Sequence, residues 1–183
     1  MDKLRAIPES HPLHRLFRGL TEYAFMNELG IGDPPLVQYV AGLLASFVPA
    51  QSLWRLRDAQ GRPLVEVTAM VAEAEATGDA DRKRECYRHV GDYTLFWTGV
   101  YPEALGQLRR TCSPDALINY QEQGKRSYYV ASRLSSGSFM SSVFRRLSDQ
   151  FELCAFGLSC VRREWEKIEA EGPRTGQPPR PVL

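Results

Sequence analysis

The sequence is poor in the residues on which most catalytic and metal sites depend. Only three histidines occur among 183 residues, and the four cysteines are scattered with no paired spacing. It contains no phosphate-binding loop, dinucleotide-binding fingerprint or nucleophile elbow. These absences argue against the enzyme classes that such motifs define, and three histidines leave few options for acid–base chemistry.

An excess of charge of one sign is also absent. The 23 basic and 22 acidic residues leave a formal net charge of +1, so no overall field favours nucleic acid or a membrane surface. The longest apolar run, residues 36–48, is shorter than the roughly 20 residues that span a bilayer. The first residues show no secretory pattern. Together with the unclustered cysteines, this predicts a cytoplasmic protein with reduced thiols and with neither nucleic-acid nor membrane partners.

Helical periodicity is what the sequence contains in abundance. Apolar residues recur at steps of three and four, and prolines, glycines and capping residues interrupt them at intervals. The interruptions predict helices over about residues 12–30, 34–48, 64–76, 80–100, 103–110 and 114–134, and a last helix from about 139 to 171. We therefore predict an all-α fold, a single-domain bundle of six or seven helices over residues 1–171 with a long C-terminal helix.

The clearest pattern is a heptad-like apolar seam in that last helix. Its members alternate at steps of four and three, and they are Met140, Phe144, Leu147, Phe151, Cys154, Leu158, Val161, Trp165 and Ile168. Such a seam is typical of a long helix packed along a partner helix. Its aromatic members are bulky for a two-stranded coiled coil. The helix is therefore expected either to self-associate or to be the spine of its own bundle.

Two segments do not follow the helical pattern. Residues 50–63 contain a short apolar run before Asp58-Ala59-Gln60-Gly61, which is compatible with a strand and a turn. A lone hairpin is marginally stable unless it packs on other elements, so whether this segment forms one stays open. Residues 172–183 contain four prolines and predict an extended, flexible tail outside the helical domain.

One helix carries the first group of candidate site residues. Glu85, His89 and Asp92 lie about one turn apart on one stripe of the helix predicted over residues 80–100. A carboxylate–imidazole–carboxylate ladder can bind a metal ion or hold a general base. It is equally the arrangement of a half-buried histidine held by acids at a helix–helix boundary.

A later helix carries the second group. Tyr120, Gly124 and Tyr128 share one of its faces with Ser127 and Ala131, and small residues there permit close approach of two backbones. Glycine costs about 1 kcal/mol relative to alanine in a helix interior, so Gly124 predicts either a packing requirement or a kink. The two tyrosines then either flank a tight helix contact or line a ligand slot with their hydroxyls.

A structural zinc site is a further hypothesis. Cys86 and His89 lie one turn apart, and His11 and His14 form another such pair. Structural zinc normally needs four ligands, and the sequence lacks a second cysteine pair to complete them. We therefore predict neither a metal ion nor a cofactor.

Three stretches together resemble a known group of proteins. They are residues 91–103 (GDYTLFWTGVYPE), residues 120–128 with Gly124-Lys125-Arg126-Ser127-Tyr128, and residues 144–151. In this order they are similar to a group of uncharacterised bacterial proteins that are predicted to be all-helical. The resemblance covers about residues 85–165. It implies a helical, cytoplasmic bacterial protein and brings no known activity, cofactor or catalytic residue.

Two classes of function are compatible with these patterns. The first is a non-enzymatic helical interaction or regulatory module that binds a protein partner or self-associates through its long C-terminal helix. The second is a small-ligand-binding protein or metal-dependent enzyme with a site between the helices that carry Glu85, His89 and Asp92 and Tyr120 and Tyr128. A cavity that reaches both groups would favour the second class. The sequence favours the first, because no recognisable catalytic set accompanies the seam.

Overall fold

The computed structural model of the protein describes residues 11–47, 55–58, 60–108, 113–135 and 137–171. Within these ranges the fold is all-α, as predicted, with eight α-helices and no β-strand. The helices are α1 (Pro12–Glu22), α2 (Pro34–Phe47), α3 (Val67–Ala76), α4 (Ala80–Val100), α5 (Pro102–Leu108), α6 (Tyr120–Leu134), α7 (Phe139–Asp149) and α8 (Phe151–Glu171). None of them combines the length and the apolarity that a membrane-spanning helix requires.

Most helix starts follow capping residues that the sequence already shows. Asp79 accepts hydrogen bonds from two backbone N–H groups of the first turn of α4, and Asp33 accepts one from Leu36 in α2. The helix predicted to begin at Ser113-Pro114 differs from this expectation. Ser113 caps only a short 3-10 turn, Pro114–Leu117, and Asn119 caps α6 two residues later. The helix predicted over residues 12–30 is α-helical only as far as Glu22. A π-helical segment, Tyr23–Glu28, follows it.

By their internal contacts the residues form two compact units. The first comprises residues 1–53 and 156–183 and the second residues 54–155. In the first unit α1 packs on α2, and the rings of Phe17 and Trp165 meet edge to face with centroids 4.9 Å apart. The prediction of one domain over residues 1–171 stays a prediction.

In the second unit α4 is the central helix. It packs against α3, α5 and α6, and α6 also packs against α7. Most of the side chains in the second half of α4 are buried. Candidate site residues on α4 and α6 therefore lie at the main helix contact of this unit.

The C-terminal seam is divided between two helices. α7 ends at Asp149 and α8 begins at Phe151, with Gln150 between them in a non-helical conformation (φ −115°, ψ 27°). The single long helix predicted from about residue 139 to 171 is therefore not confirmed. Neither proline nor glycine marks the break in the sequence. Immediately after it, the Phe151 ring packs against Gly124 of α6, and Ser148 Oγ donates a hydrogen bond to the backbone of α6.

The seam side chains mostly face the interior. Those buried are Phe144, Leu147, Phe151, Cys154, Leu158 and Val161. Met140 and Trp165 are half-buried, and Ile168 is 46% exposed. Most of the seam thus packs within the chain itself, which favours the interpretation of this region as a bundle spine.

The described part of residues 50–63, for which the sequence left a hairpin open, contains a tight turn. Arg57 and Pro63 form an isolated antiparallel bridge, and the Leu64 N–H donates to the Leu56 carbonyl at 2.9 Å. Gly61 takes a positive φ of 80°, which glycine adopts without strain. The described part of this segment is therefore a turn with a single bridge. Residues 48–54 and 59, and the tail predicted over residues 172–183, lie outside the described residues.

Candidate functional site

The three candidate residues on α4 differ in their exposure. His89 is fully buried, Asp92 is 7% exposed, and the Glu85 side chain is 43% exposed. The His89 ring lies beside that of Tyr93, with centroids 6.2 Å apart. The stripe predicted from the sequence therefore runs from the surface of α4 into the core, so its members do not share one environment.

Glu85 is held by two arginines. Its Oε1 lies 2.9 Å from Arg55 Nη2 and 2.7 Å from Arg88 Nη2. Burial acts to raise the pKa of the Glu85 carboxyl, but the charge and hydrogen bond of Arg88, together with the charge of Arg55, outweigh it and the pKa is lowered. Glu85 is therefore an ionised, ion-paired carboxylate at neutral pH.

Asp92 and Tyr128, one from each predicted group, meet directly. The Tyr128 hydroxyl donates a hydrogen bond of 2.8 Å to Asp92 Oδ1. The Tyr128 ring is fully buried and lies so close to Gly91 that a Cβ there would be 2.7 Å from it. On its other side the ring stacks on Phe144, with centroids 6.2 Å apart. We call this tightly packed region the closed end of the α4–α6 contact.

Gly124 has a packing role at the same contact. A Cβ built on it would lie 2.3 Å from the Phe151 ring and 2.5 Å from Thr94 Oγ1 of α4. Both distances are too short for any real side chain. Of the two explanations for this glycine, the packing requirement is therefore the one observed.

The zinc hypothesis can be compared with the side chains around Cys86 and His89. In the described part of the chain, no three or more histidine, cysteine, aspartate or glutamate side chains cluster so that they could hold a metal ion. Cys86 is buried, and burial raises the pKa of its thiol, which disfavours the thiolate that zinc binds. His11 acts locally, since its Nδ1 accepts a hydrogen bond from the Leu13 N–H at the start of α1.

Tyr120 lies about two turns from Tyr128 on the same face of α6, but its partner is different. Its hydroxyl donates a hydrogen bond of 2.9 Å to Asp115 Oδ2. Burial, and then the charge of Asp115, raise the pKa of Tyr120 above its usual value. The phenol therefore stays neutral throughout the ordinary pH range.

Asp115 is a residue that sequence reasoning missed. Its carboxylate also accepts hydrogen bonds from the backbone N–H groups of Val67 and Thr68, at 2.8 and 3.0 Å, and from the Thr68 hydroxyl at 3.1 Å. Asp115 thus caps the N-terminus of α3, where the helix dipole favours a negative charge. In the sequence, Ser113-Pro114-Asp115 indicates the start of its own helix. Nothing local signals a partner 48 residues away.

A cavity of about 480 Å³ adjoins the Tyr120–Asp115 hydrogen bond. Its walls are the end of α4, α5, the 3-10 turn and the start of α6, and they include Thr98, Leu105, Gly106, Asp115, Ile118 and Tyr120. Of the five predicted site residues only Tyr120 lines it. We call this region the open end of the α4–α6 contact, and its space the Asp115–Tyr120 cavity.

Comparisons with models of protein families, with curated proteins and with solved structures give no match. The resemblance to uncharacterised bacterial helical proteins stays a prediction. The interpretation of both ends of the α4–α6 contact therefore depends on their geometry.

Proposed function

We propose that this protein is a non-enzymatic binding module that holds a small molecule in the Asp115–Tyr120 cavity. The observation that carries the proposal is the cavity itself. Its volume of about 480 Å³ falls in the range of roughly 300–1,000 Å³ that is typical of small-molecule sites. Sites of this kind combine apolar walls with a few placed polar groups, and this lining has both.

The lining combines polar and apolar groups. Its polar residues include Asp115 and Tyr120, which hydrogen-bond to each other, and Asn119 and Gln121 at the start of α6. Pro102, Leu105 and Ile118 supply the apolar part of the lining.

The same lining argues for binding without catalysis. Among the lining residues that the structure describes there is no histidine, cysteine, lysine or arginine. The Asp115 carboxylate is engaged by four hydrogen-bond donors, and the Tyr120 phenol stays neutral. A general base or nucleophile ready at neutral pH is therefore missing from this set.

A fragment titration followed by NMR tests the proposal. We would add small aromatic fragments to the ¹⁵N-labelled full chain at neutral pH. We expect the amide signals of Thr98, Gly106 and Tyr120 to shift together for the fragments that bind, because these residues line one space.

A blocking variant tells whether binding occurs in this cavity. A Cβ at Gly106 meets nothing within 4 Å, so Gly106→Leu places its side chain in open space at the cavity wall and should abolish fragment binding. The matched control is Gly19→Leu, which alters another helical glycine with open space, in the first unit. Fragment shifts that persist in Gly106→Leu would contradict the proposal.

A second proposal is self-association through α8. Phe156 is 56% exposed and Ile168 is 46% exposed on this helix, and a helix–helix contact through α8 would remove these apolar side chains from water. Sedimentation of the protein at two concentrations should show a concentration-dependent dimer that Phe156→Ser weakens. Phe139→Ser, which alters a phenylalanine of α7 that is 68% exposed, is the control. A monomer at both concentrations would contradict this proposal.

We also propose that residues 1–171 behave as one folding domain with α7 and α8 as its spine. Support comes from the burial of most of the heptad seam along both helices. A single cooperative unfolding transition, coincident by circular dichroism and fluorescence, is the expected result. Two separate transitions would contradict the single domain.

A further inference from the structure

We propose that the Asp115–Tyr120 cavity selects a ligand that carries a protonated amine on a small apolar body and rejects carboxylates and phosphates. This inference rests on the proposed function, since it names the class of ligand for the same cavity. It follows from the charge, the hydrogen-bonding capacity and the apolar part of the lining.

The described residues give the cavity a negative charge. Among the lining residues that the structure describes, Asp115 alone is charged. A second carboxylate, Glu66, lies nearby at the start of α3, where it accepts a hydrogen bond of 3.1 Å from Ser113 Oγ. Its charge contributes with that of Asp115 to raising the pKa of Tyr120. A cation gains from this field, whereas an anion placed in the cavity is repelled.

The start of α6 is a feature that would favour an anion, since helix N-termini attract negative charge. Here the Asn119 side chain already occupies donors of that first turn. Its Oδ1 accepts from the N–H groups of Gln121 and Glu122, at 3.1 and 3.3 Å. Because these two N–H groups already bond Asn119, the N-terminus of α6 has fewer hydrogen-bond donors left for an anion than its position suggests.

The hydrogen-bonding capacity of the lining also suits a donor ligand. The Tyr120 hydroxyl has one proton, which it donates to Asp115, so toward a ligand its oxygen acts as an acceptor. An ammonium group carries three donors and no acceptor, and it complements this oxygen.

The apolar part of the lining defines the rest of the ligand. Pro102, Leu105 and Ile118 offer hydrocarbon surface beside the polar groups. Burial of a small ring or alkyl chain against them favours binding, because it removes apolar surface from water. The expected ligand is therefore an arylalkylamine or alkylamine and not a bare cation.

Three probes that share a phenyl ring on a short chain and differ in charge test this inference. They are 2-phenylethylamine, 2-phenylethanol and phenylacetate, titrated into the full chain at pH 7 and low salt with the dissociation constant read from NMR shifts. We expect the amine to bind at least about tenfold more tightly than the carboxylate, with the alcohol between them. Added salt should narrow the difference, because it screens the charges.

The charge variant is chosen to spare the fold. Asp115 also caps α3, so its replacement would confound binding with stability. Glu66→Gln removes the second charge and keeps a side chain that can bond Ser113, and it should reduce the preference for the amine about two- to threefold.

The outcomes separate this inference from the proposed function. If no probe binds, or if Gly106→Leu leaves binding unchanged, the cavity is not a ligand site and both fail. If phenylacetate binds as tightly as the amine and Gly106→Leu abolishes it, the proposed function stands and the ligand class is wrong. Preference for the amine that Gly106→Leu abolishes and Glu66→Gln reduces supports both.

Discussion

Two tyrosine–aspartate hydrogen bonds lie about two turns apart on one face of α6, and their surroundings are opposite. Tyr128 donates to Asp92 at 2.8 Å at the closed end, where the ring is fully buried against Gly91 and Phe144. Tyr120 donates to Asp115 at 2.9 Å at the open end, beside a cavity of about 480 Å³. Both pairs are buried, but the pair at the closed end lies in filled space and the pair at the open end borders a cavity.

The comparison shows that the neighbours of a polar pair decide its role. At the closed end aromatic rings and glycines fill the space, so the hydrogen bond satisfies a buried acid and fixes the contact of two helices. At the open end the pair leaves room beside it, and the acid is shared with the cap of α3. The predictions below disturb one end at a time, from the largest expected effect to the smallest.

Truncation of Phe151 should do the most damage, because it removes the filling of the closed end. Phe151 is fully buried. Its ring lies beside the Tyr128 ring and against the backbone of Gly124. Phe151→Ala should cost about 3–5 kcal/mol of unfolding free energy. Urea unfolding measures this, with Phe139→Ala at an exposed site as the control. Equal loss in both variants would show that the closed end is not tightly packed.

Among the polar substitutions, removal of the Asp115 carboxylate at the open end should lower the free energy of unfolding most. Asp115→Ala uncaps α3 and leaves the Tyr120 hydroxyl without its acceptor, so we expect a cost of about 2–4 kcal/mol from the two effects together. Asp79→Ala removes a cap that serves only its own helix, α4, and should cost about 0.5–2 kcal/mol. A smaller cost for Asp115→Ala than for Asp79→Ala would refute the double role.

Deletion of each tyrosine hydroxyl compares the two ends directly. Tyr128→Phe withdraws a donor from a buried carboxylate in packed surroundings and should cost about 1.5–3 kcal/mol. Tyr120→Phe should cost about 0.5–1.5 kcal/mol, because Asp115 keeps three other donors. Thermal and urea unfolding of both variants give the order. The reverse order would show that the open end, and not the closed end, depends on its hydroxyl.

Substitution of glycine by alanine should have opposite signs at the two ends. Gly91→Ala forces a Cβ to within 2.7 Å of the Tyr128 ring, and the net cost should be about 1–2 kcal/mol after the gain in helix propensity. Gly106→Ala meets open space and should be neutral or stabilise by up to about 1 kcal/mol. Stabilisation by Gly91→Ala would mean that α4 and α6 lie further apart than described.

Loss of the Glu85 charge should have the smallest effect, at the surface end of the predicted ladder. Its folded pKa is lowered, so its stabilisation is present above the unfolded value near 4.5 and is lost as pH falls through the folded value. Because the side chain is 43% exposed, we expect Glu85→Gln to cost less than about 1 kcal/mol at pH 7. The difference from wild type should shrink as pH falls below about 4.5 and disappear below the folded pKa. A difference that persists in acid would point to a role unrelated to charge.

The helix pattern was accessible from the sequence because its causes are local. Asp79 caps α4, the helix predicted over residues 80–100. Asp33 and Pro34 mark the start of α2. Gly124 was recognised as needing a reason, and the Phe151 ring supplies it. In each case the signal lies within a few residues of the feature, where propensity and capping operate.

The break at Gln150 escaped prediction because its apparent cause is not local. The heptad spacing continues through it, and no proline or glycine interrupts the chain there. Phe151 instead packs on Gly124 of another helix, a contact that a pattern along one helix does not reveal. The π-helical segment Tyr23–Glu28 after α1 was not predicted either.

The sequence by itself determined that this protein is helical and where most of its helices begin. It also determined that α4 carries the candidate acids and α6 the candidate tyrosines. Only the tertiary structure decided which acid meets which tyrosine, that Asp115 caps a helix 48 residues away, and that space remains beside Tyr120 and not beside Tyr128. Helix formation depends on neighbours in the chain. A cavity and a long-range hydrogen bond depend on which side chains from distant segments fill a shared volume, and periodicity carries no information about that volume.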